Sequence, residues 1–344
     1  MKKICLVALV DHNCNFLIAL ERALSEIGFE VETHKIPFLW NFNKDYVDRL
    51  NALLKERSQE QFLIFSPEST ELFLKEADLT IVYSAYRSWF DQEKIRVIPH
   101  IATPVKPPKS IDHLTWTSKP PLRIGFMGRS FANSRLTNFV EKLPVQLKLW
   151  LLRGSFLRNA VVVGLMNDYG ISVKSINAFS RTETIKILRA NKDKYKNVEL
   201  DIVEKGAFSG SEQDKREYIS HLERNTYIIC TRGTENFSFR AYEALSRGKV
   251  PVIIDTDVVL PKEIAWDAVS VRVPYESLDR IYEIILHDYE SRSTREFVAR
   301  QTKAFSSMAE LRNTRWIKGL ANEVRGRVCR QNQNHCSAIL QEWL

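Results

Sequence analysis

The sequence predicts an α/β protein of two domains, each built on a parallel sheet, and three observations carry that expectation. Apolar runs of strand length alternate with stretches of helical periodicity along most of the chain. At 344 residues the chain exceeds one ordinary core and suits two. Between the two alternating regions, Pro104, Pro107, Pro108, Pro120 and Pro121 make a stretch hostile to helix and central strand. That stretch, roughly 102–121, is the expected linker. The domains are accordingly placed at 1–115 and 116–305, with a helical segment at 306–344 packing back on the first domain.

Ile4 to Val10 reads as a buried strand. The start of the chain imitates a secretory leader, but its apolar run ends at Asp11 without a small-residue cleavage site. Leu17, Ile18, Leu24 and Ile27 form one helical face, and Gly28 stops the helix. Phe29 to Ile36 alternates as a strand does. Tyr46 to Lys55 reads as a helix, and Phe62 to Phe65, Leu79 to Tyr83 and Ile95 to Ile101 as strands. Beyond the prolines, strands are expected at Leu122 to Met127, Ala160 to Val163, Val198 to Val203, Thr226 to Cys230 and Val250 to Ile254. A helix is expected at Ser211 to Arg224, and another ends at Gly248. Two such halves are Rossmann-like domains. Ligands of open α/β sheets bind at the carboxyl ends of the strands.

Composition is that of an ordinary soluble protein, 44% hydrophobic and 27% charged, with mean hydropathy −0.25. No apolar run approaches the roughly 20 residues of a membrane helix. The five cysteines show neither metal spacing nor a disulfide framework, and Cys5 and Cys230 fall inside apolar strands, as reduced cytosolic thiols would. Residues 1–120 carry a net charge of −1 and the remainder +9. A basic second half suggests an anionic ligand or surface there, or else only a solvated face. Basic pI without a recognisable module gives no case for nucleic acid. The histidines His34, His100, His113, His221, His287 and His335 lack metal-like spacing, so no metal is expected.

The chemistry concentrates in the stretch from Tyr227 to Asp255, which reads as strand, polar loop, helix, glycine stop and strand. Arg232 leaves the strand end, where its guanidinium fork matches phosphate oxygens. Gly233 permits close backbone approach. Ser238 is a candidate cap of the next helix, whose free N–H groups suit an anion, and Arg240 adds charge. Glu243 is suited to accept two ribose hydroxyls, and Glu235 to meet the sugar or its leaving group. Together these residues could hold a diphosphate and a ribose. Arg129, after the glycine that closes its own strand, could clamp the same diphosphate. Asp255 could face the ligand, or it and Asp257 could simply bond the local backbone of a turn. An ion pair of Arg232 with Glu243 is the structural alternative.

The run Arg232-Gly-Thr-Glu-Asn-Phe-Ser-Phe-Arg-Ala-Tyr-Glu-Ala-Leu-Ser-Arg-Gly-Lys-Val-Pro-Val-Ile-Ile-Asp255, continued to Leu260-Pro261, resembles the signature of exostosin-like glycosyltransferases. The match is dense over about 30 residues, Gly125-Phe-Met-Gly128 resembles the opening of the donor domain in bacterial members, and residues 1–115 resemble the family weakly. The resemblance implies the GT-B architecture, two Rossmann-like domains facing a central cleft. It also implies a UDP-sugar donor in the second domain, a glycan acceptor, inversion at the anomeric carbon, no cofactor and no required metal. The spacing of Glu235 and Glu243 also fits a pair found in retaining GT-B enzymes. Surface polysaccharide or lipopolysaccharide synthesis is the implied setting. The alternatives are a sugar-nucleotide epimerase of the same fold and a non-catalytic nucleotide-sugar-binding protein.

An inverting enzyme needs a general base on the acceptor side. His12, or Asp11 beside it, follows the first strand directly and is the candidate. Tyr83, Tyr86 and Arg87 end another first-domain strand and could line the acceptor site. Near the C-terminus, Trp316, Leu320, Val324 and Val328 recur every four residues among arginines and lysines. This basic amphipathic helix could rest on an anionic membrane at the cytoplasmic face, or pack back on the first domain.

Overall fold

The computed structural model describes residues 2–9, 15–36, 52, 61–68, 79–99, 107–129, 140, 142–153, 179–206, 210–233, 236–313 and 315–327. The chain divides into two compact units. One comprises Met1–Ala85, Trp89–Ile98 and Glu310–Leu344, and the other Tyr86–Ser88 and Pro99–Ala309.

In the first unit, β1 (Lys2–Leu9) is followed by α1 (Asn15–Glu26), β2 (Phe29–Ile36), β3 (Gln61–Glu68), β4 (Leu79–Ser84) and β5 (Ile95–Val97). The strands are parallel in the order β2-β1-β3-β4-β5. Strand β1 buries Ile4, Leu6 and Ala8 in the cluster that holds Leu17, Leu20 and Leu24 of α1. Ile18, assigned by periodicity to the same face as Leu17, is instead 53% exposed, because Leu20 takes that place on the face. Gly28 ends the helix at φ +95°, a conformation open to glycine.

A helix over 315–327 completes this unit. Its Ile317, Leu320, Ala321 and Val324 are buried in the same core, and Trp316 stacks on Phe16 at 5.7 Å. Burial of Ile317, Leu320 and Val324 contributes roughly 1.5–3 kcal/mol each. The apolar face that could have entered a membrane is therefore already covered; Val328 lies outside the described residues. Among the described residues, no helix is long and apolar enough to cross a membrane.

In the second unit the order along the chain is β6 (Arg123–Gly128), α2 (Val145–Arg153), α3 (Phe179–Asn191), β7 (Glu199–Glu204), α4 (Glu212–Arg224), β8 (Tyr227–Cys230), α5 (Phe239–Ser246), β9 (Val250–Asp255), β10 (Val271–Pro274), α6 (Ile281–Glu290) and α7 (Thr294–Arg312). All strand pairs are parallel, in the order β10-β9-β8-β6-β7. In both sheets the unit's first strand lies between its second and third, so the two share one topology. Every residue of β8 and β9 is buried, as expected of parallel strands covered on both faces. Gly125 belongs to β6 because a Cβ there would lie 2.5 Å from the Asn225 side chain, which donates to Asp201 and the His221 carbonyl.

The proline-rich stretch lies on the second unit from 107 onward, and the units divide at 98/99, ahead of the expected linker. Gln301 bonds both the Leu114 carbonyl and the Trp116 amide, and Tyr289 donates to the Pro120 carbonyl at 2.8 Å. These bonds strap the segment to α6 and α7. The strand expected at 160–163 and, apart from residue 52, the helix expected at 46–55 fall outside the described residues.

Candidate active site

The second sheet reverses its direction of growth between β6 and β8, and ligands of open α/β sheets bind outside the carboxyl ends at such a point. A cavity of about 270 Å³ opens there. Met127, Gly128 and Arg129 line it from the end of β6, Thr231 and Gly233 from the end of β8, and Lys205 from the end of β7. Phe237, Ser238, Phe239, Arg240 and Glu243 line it from the start of α5, Arg181 from α3 and Tyr218 from α4.

Two arginines bridge the strands on either side of the reversal. Arg240 donates through Nη2 to the Met127 carbonyl at 2.8 Å and through Nη1 to the Ile229 carbonyl at 3.5 Å, and it lies over the Phe126 ring. Gly128 makes room for it, since a Cβ there would meet Nη2 at 2.6 Å. Arg181 donates to the Arg129 carbonyl at 2.9 Å, the Arg232 carbonyl at 3.2 Å and the Thr231 hydroxyl at 3.3 Å. Burial, with the like charge of Arg240 beside it, lowers the Arg181 guanidinium to about 10. Lys205 is answered by Asp214 and Glu217. Glu243 is buried, and its Oε2 accepts a 2.6 Å bond from the Tyr218 hydroxyl. Burial holds the Tyr218 phenol well above its ordinary value, so it stays a donor to this carboxylate.

Arg129, Gly233, Ser238, Arg240 and Glu243, all expected from the sequence, thus meet at one cavity. Ser238 occupies the N-cap position in extended conformation, but its side chain makes no capping bond, which corrects the cap expected of its hydroxyl. Arg232 is placed otherwise. It is 2% exposed and does not line the cavity. Its Nη1 donates to the Leu152 carbonyl at 2.6 Å and its Nη2 to the Tyr86 hydroxyl at 2.8 Å, with the guanidinium over the Tyr86 ring. These partners turn it away from the place expected of a phosphate-binding side chain.

Asp255 also has a place of its own. One oxygen accepts from the amides of Asp257 and Val258, at 3.0 and 3.1 Å, closing the turn after β9. Arg87 spans both oxygens at 3.1 and 2.8 Å, and Arg272 lies 3.4 Å away. This buried turn, with Asp257 at φ 73°, replaces the ligand contact expected of Asp255. Tyr86 and Arg87, expected to line an acceptor site, are members of the same assembly. Asp11, His12 and Glu235 lie outside the described residues.

The sequence reading missed Arg181, Lys205 and Tyr218. Arg181 had a usable signal: Phe179, Thr182, Ile185 and Leu188 share a buried helix face on which Ser180 and Thr184 are buried too. So polar a helix beside a core points to something other than packing. Lys205 directly follows β7, the position already used to single out Arg129 and Arg232.

Part of the chain is similar in sequence to known proteins. Residues 177–286 match the Exostosin GT47 domain. Over 80 residues, 23% of the chain, it is 34% identical to a "probable glucuronosyltransferase" of Oryza sativa subsp. japonica, and that stretch spans 18% of the relative's length. Among solved structures, sucrose-phosphate synthase from Thermosynechococcus elongatus has a TM-score of 0.41 at 12% identity, over 96% of this chain and 100% of that one. Anabaena HepE, solved with UDP and glucose, has a TM-score of 0.38 at 11% identity, over 95% of this chain and 100% of that one. The segment from 177 to 286, which carries Arg181, Arg240 and Glu243, is therefore similar to the Exostosin GT47 domain.

Proposed function

We propose that this chain is a glycosyltransferase of GT-B architecture. It transfers a sugar from a UDP-sugar to a glycan acceptor, with inversion, in the synthesis of a surface polysaccharide or lipopolysaccharide. The observation that carries the reading is the arginine-bearing cavity at the reversal point of the second sheet, inside the exostosin-type segment. Its cations suit a diphosphate, and Glu243, held by Tyr218, suits a ribose. The name of the rice relative, a glucuronosyltransferase, supports transfer of a sugar.

On this reading the departing diphosphate gains negative charge as the glycosidic bond breaks. Fixed positive groups aimed at that charge lower the barrier without reorganising. Arg129, Arg240 and the start of α5 do that work in place of a metal or cofactor. His12, or Asp11, takes the proton of the acceptor hydroxyl. Calorimetric titration with UDP, GDP, CMP and ADP tests the donor site, and a mass-spectrometric screen of sugar nucleotides identifies the donor. UDP is expected to bind; failure of all four nucleotides to bind sinks the assignment. Proton NMR of the product reads the anomeric configuration, and retention would remove the need for a base.

A further inference from the structure

We infer that Arg181 is a binding residue of the cavity and carries the affinity for the diphosphate portion of the ligand. The inference rests on the donor reading above and adds a residue to it. Arg181 comes from α3 and Arg240 from α5, yet each guanidinium reaches across the ends of β6 and β8. The three hydrogen bonds of Arg181 go to two carbonyls and a hydroxyl, so they fix its plane without cancelling its charge. Those of Arg240 go to two carbonyls, the Tyr218 hydroxyl and the Glu243 carboxylate lie near it, and its Nε is buried with no hydrogen-bond partner among the described residues.

Compare the other charges of the cavity. Lys205 is neutralised by Asp214 and Glu217. The carboxylate of the lining is Glu243, which is held by Tyr218. Among the described lining residues, two half-buried arginines therefore face one carboxylate, and Arg129 adds a third positive charge from an exposed position. Like charges so placed repel, and an anion of two or more negative charges relieves that repulsion. Burial first, and the like charge of Arg240 second, lower the proton affinity of Arg181. A neutral ligand would relieve nothing.

The test compares UDP with uridine on the full chain, by calorimetry for UDP and ligand-observed NMR for uridine. Arg181→Met is expected to weaken UDP about 10- to 100-fold, the range of a lost hydrogen-bonded charge, and to leave uridine within about 3-fold. Arg181→Lys keeps a charge but cannot reach all three acceptors in a fork, so it should fall between. Equal losses for UDP and uridine would make Arg181 a merely structural residue, and no loss in either would also overturn the inference. If Arg181→Met does not fold, the decision passes to Arg181→Lys by the same UDP-to-uridine ratio. Wild-type protein that binds no UDP would fail the donor reading itself, whereas UDP binding that ignores Arg181 fails only this inference.

Discussion

Arg232 separates a structural arginine from a ligand-binding one, and Arg232→Met tests the difference. Methionine keeps an unbranched stem but removes the guanidinium, leaving the Leu152 carbonyl and the Tyr86 hydroxyl without their donor. Buried hydrogen bonds to a charged group contribute roughly 1.5–3 kcal/mol each. Two of them on one side chain, at 2.6 and 2.8 Å and not fully additive, give a loss of roughly 3–5 kcal/mol. In a unit of this size each kcal/mol moves Tm by about 2–4 °C. The variant should therefore unfold roughly 6–20 °C below wild type, followed by circular dichroism. Below that transition, UDP should bind within about 3-fold of wild type, since the side chain does not line the cavity. The reasoning is refuted if the variant melts with wild type and loses UDP affinity more than about tenfold. That pair of results would mean the guanidinium leaves Tyr86 and meets the phosphate.

Tyr218→Phe should weaken UDP about 5- to 10-fold by releasing the Glu243 carboxylate, while 2′,3′-dideoxy-UDP is unaffected; equal losses would remove Glu243 from the ribose. Gly125→Ala should destabilise by about 1–3 kcal/mol in urea titrations, because its Cβ would strike Asn225. Asp288 sits between Arg300, Arg292 and Tyr227, and although burial alone would raise its pKa, the bond from Arg300 leads a set that holds it below the ordinary value. Its contribution is therefore complete above about pH 4 and is lost as pH falls through the folded pKa. Asp288→Asn should lower Tm at neutral pH and flatten its fall towards about pH 2, which a pH series of melts would read. His12→Ala should cut turnover roughly 10²–10⁴-fold with UDP affinity intact; near-normal turnover would eliminate His12.

The strands and stops of the second unit were legible because they rest on local physics. Apolar runs at 227–230 and 250–254 had to be strands covered on both faces, and Gly248, at φ +64°, had to end a helix. The cavity's position followed from the same alternation. Side-chain direction was not legible. Arg232 and Arg240 lie in one motif, but the partners that turn Arg232 inward are 80 and 146 residues away. Asp255 was open between ligand and turn until Arg87, distant by 168 residues, was seen across its carboxylate. The helix of 315–327 is amphipathic on any reading, and periodicity names its apolar face without naming what covers it.

What holds an arginine tells what it is free to do. In this unit Arg224 is held by Asp201, Arg300 by Asp288, and Arg87 and Arg272 by Asp255. Each of those charges is answered inside the protein, so each contributes to the fold and little to the field outside it. Arg181 is held by two backbone carbonyls and a hydroxyl, and Arg240 by two backbone carbonyls with Tyr218 and Glu243 close by. A carbonyl orients a guanidinium less strongly than a bidentate carboxylate does, but it leaves the unit charge in place. Neutral acceptors alone do not make a binding residue, since Arg232 has them too and is shut against Tyr86. The combination with a cavity wall does. In a partly dry site such prepositioned charge acts on a ligand without the cost of turning solvent or side chains. Parallel strands covered on both faces confine that chemistry to their ends, and β6 and β8 supply the carbonyls from the two ends where the sheet reverses. Backbone carbonyls at those ends thus aim the two guanidinium groups at the cavity wall.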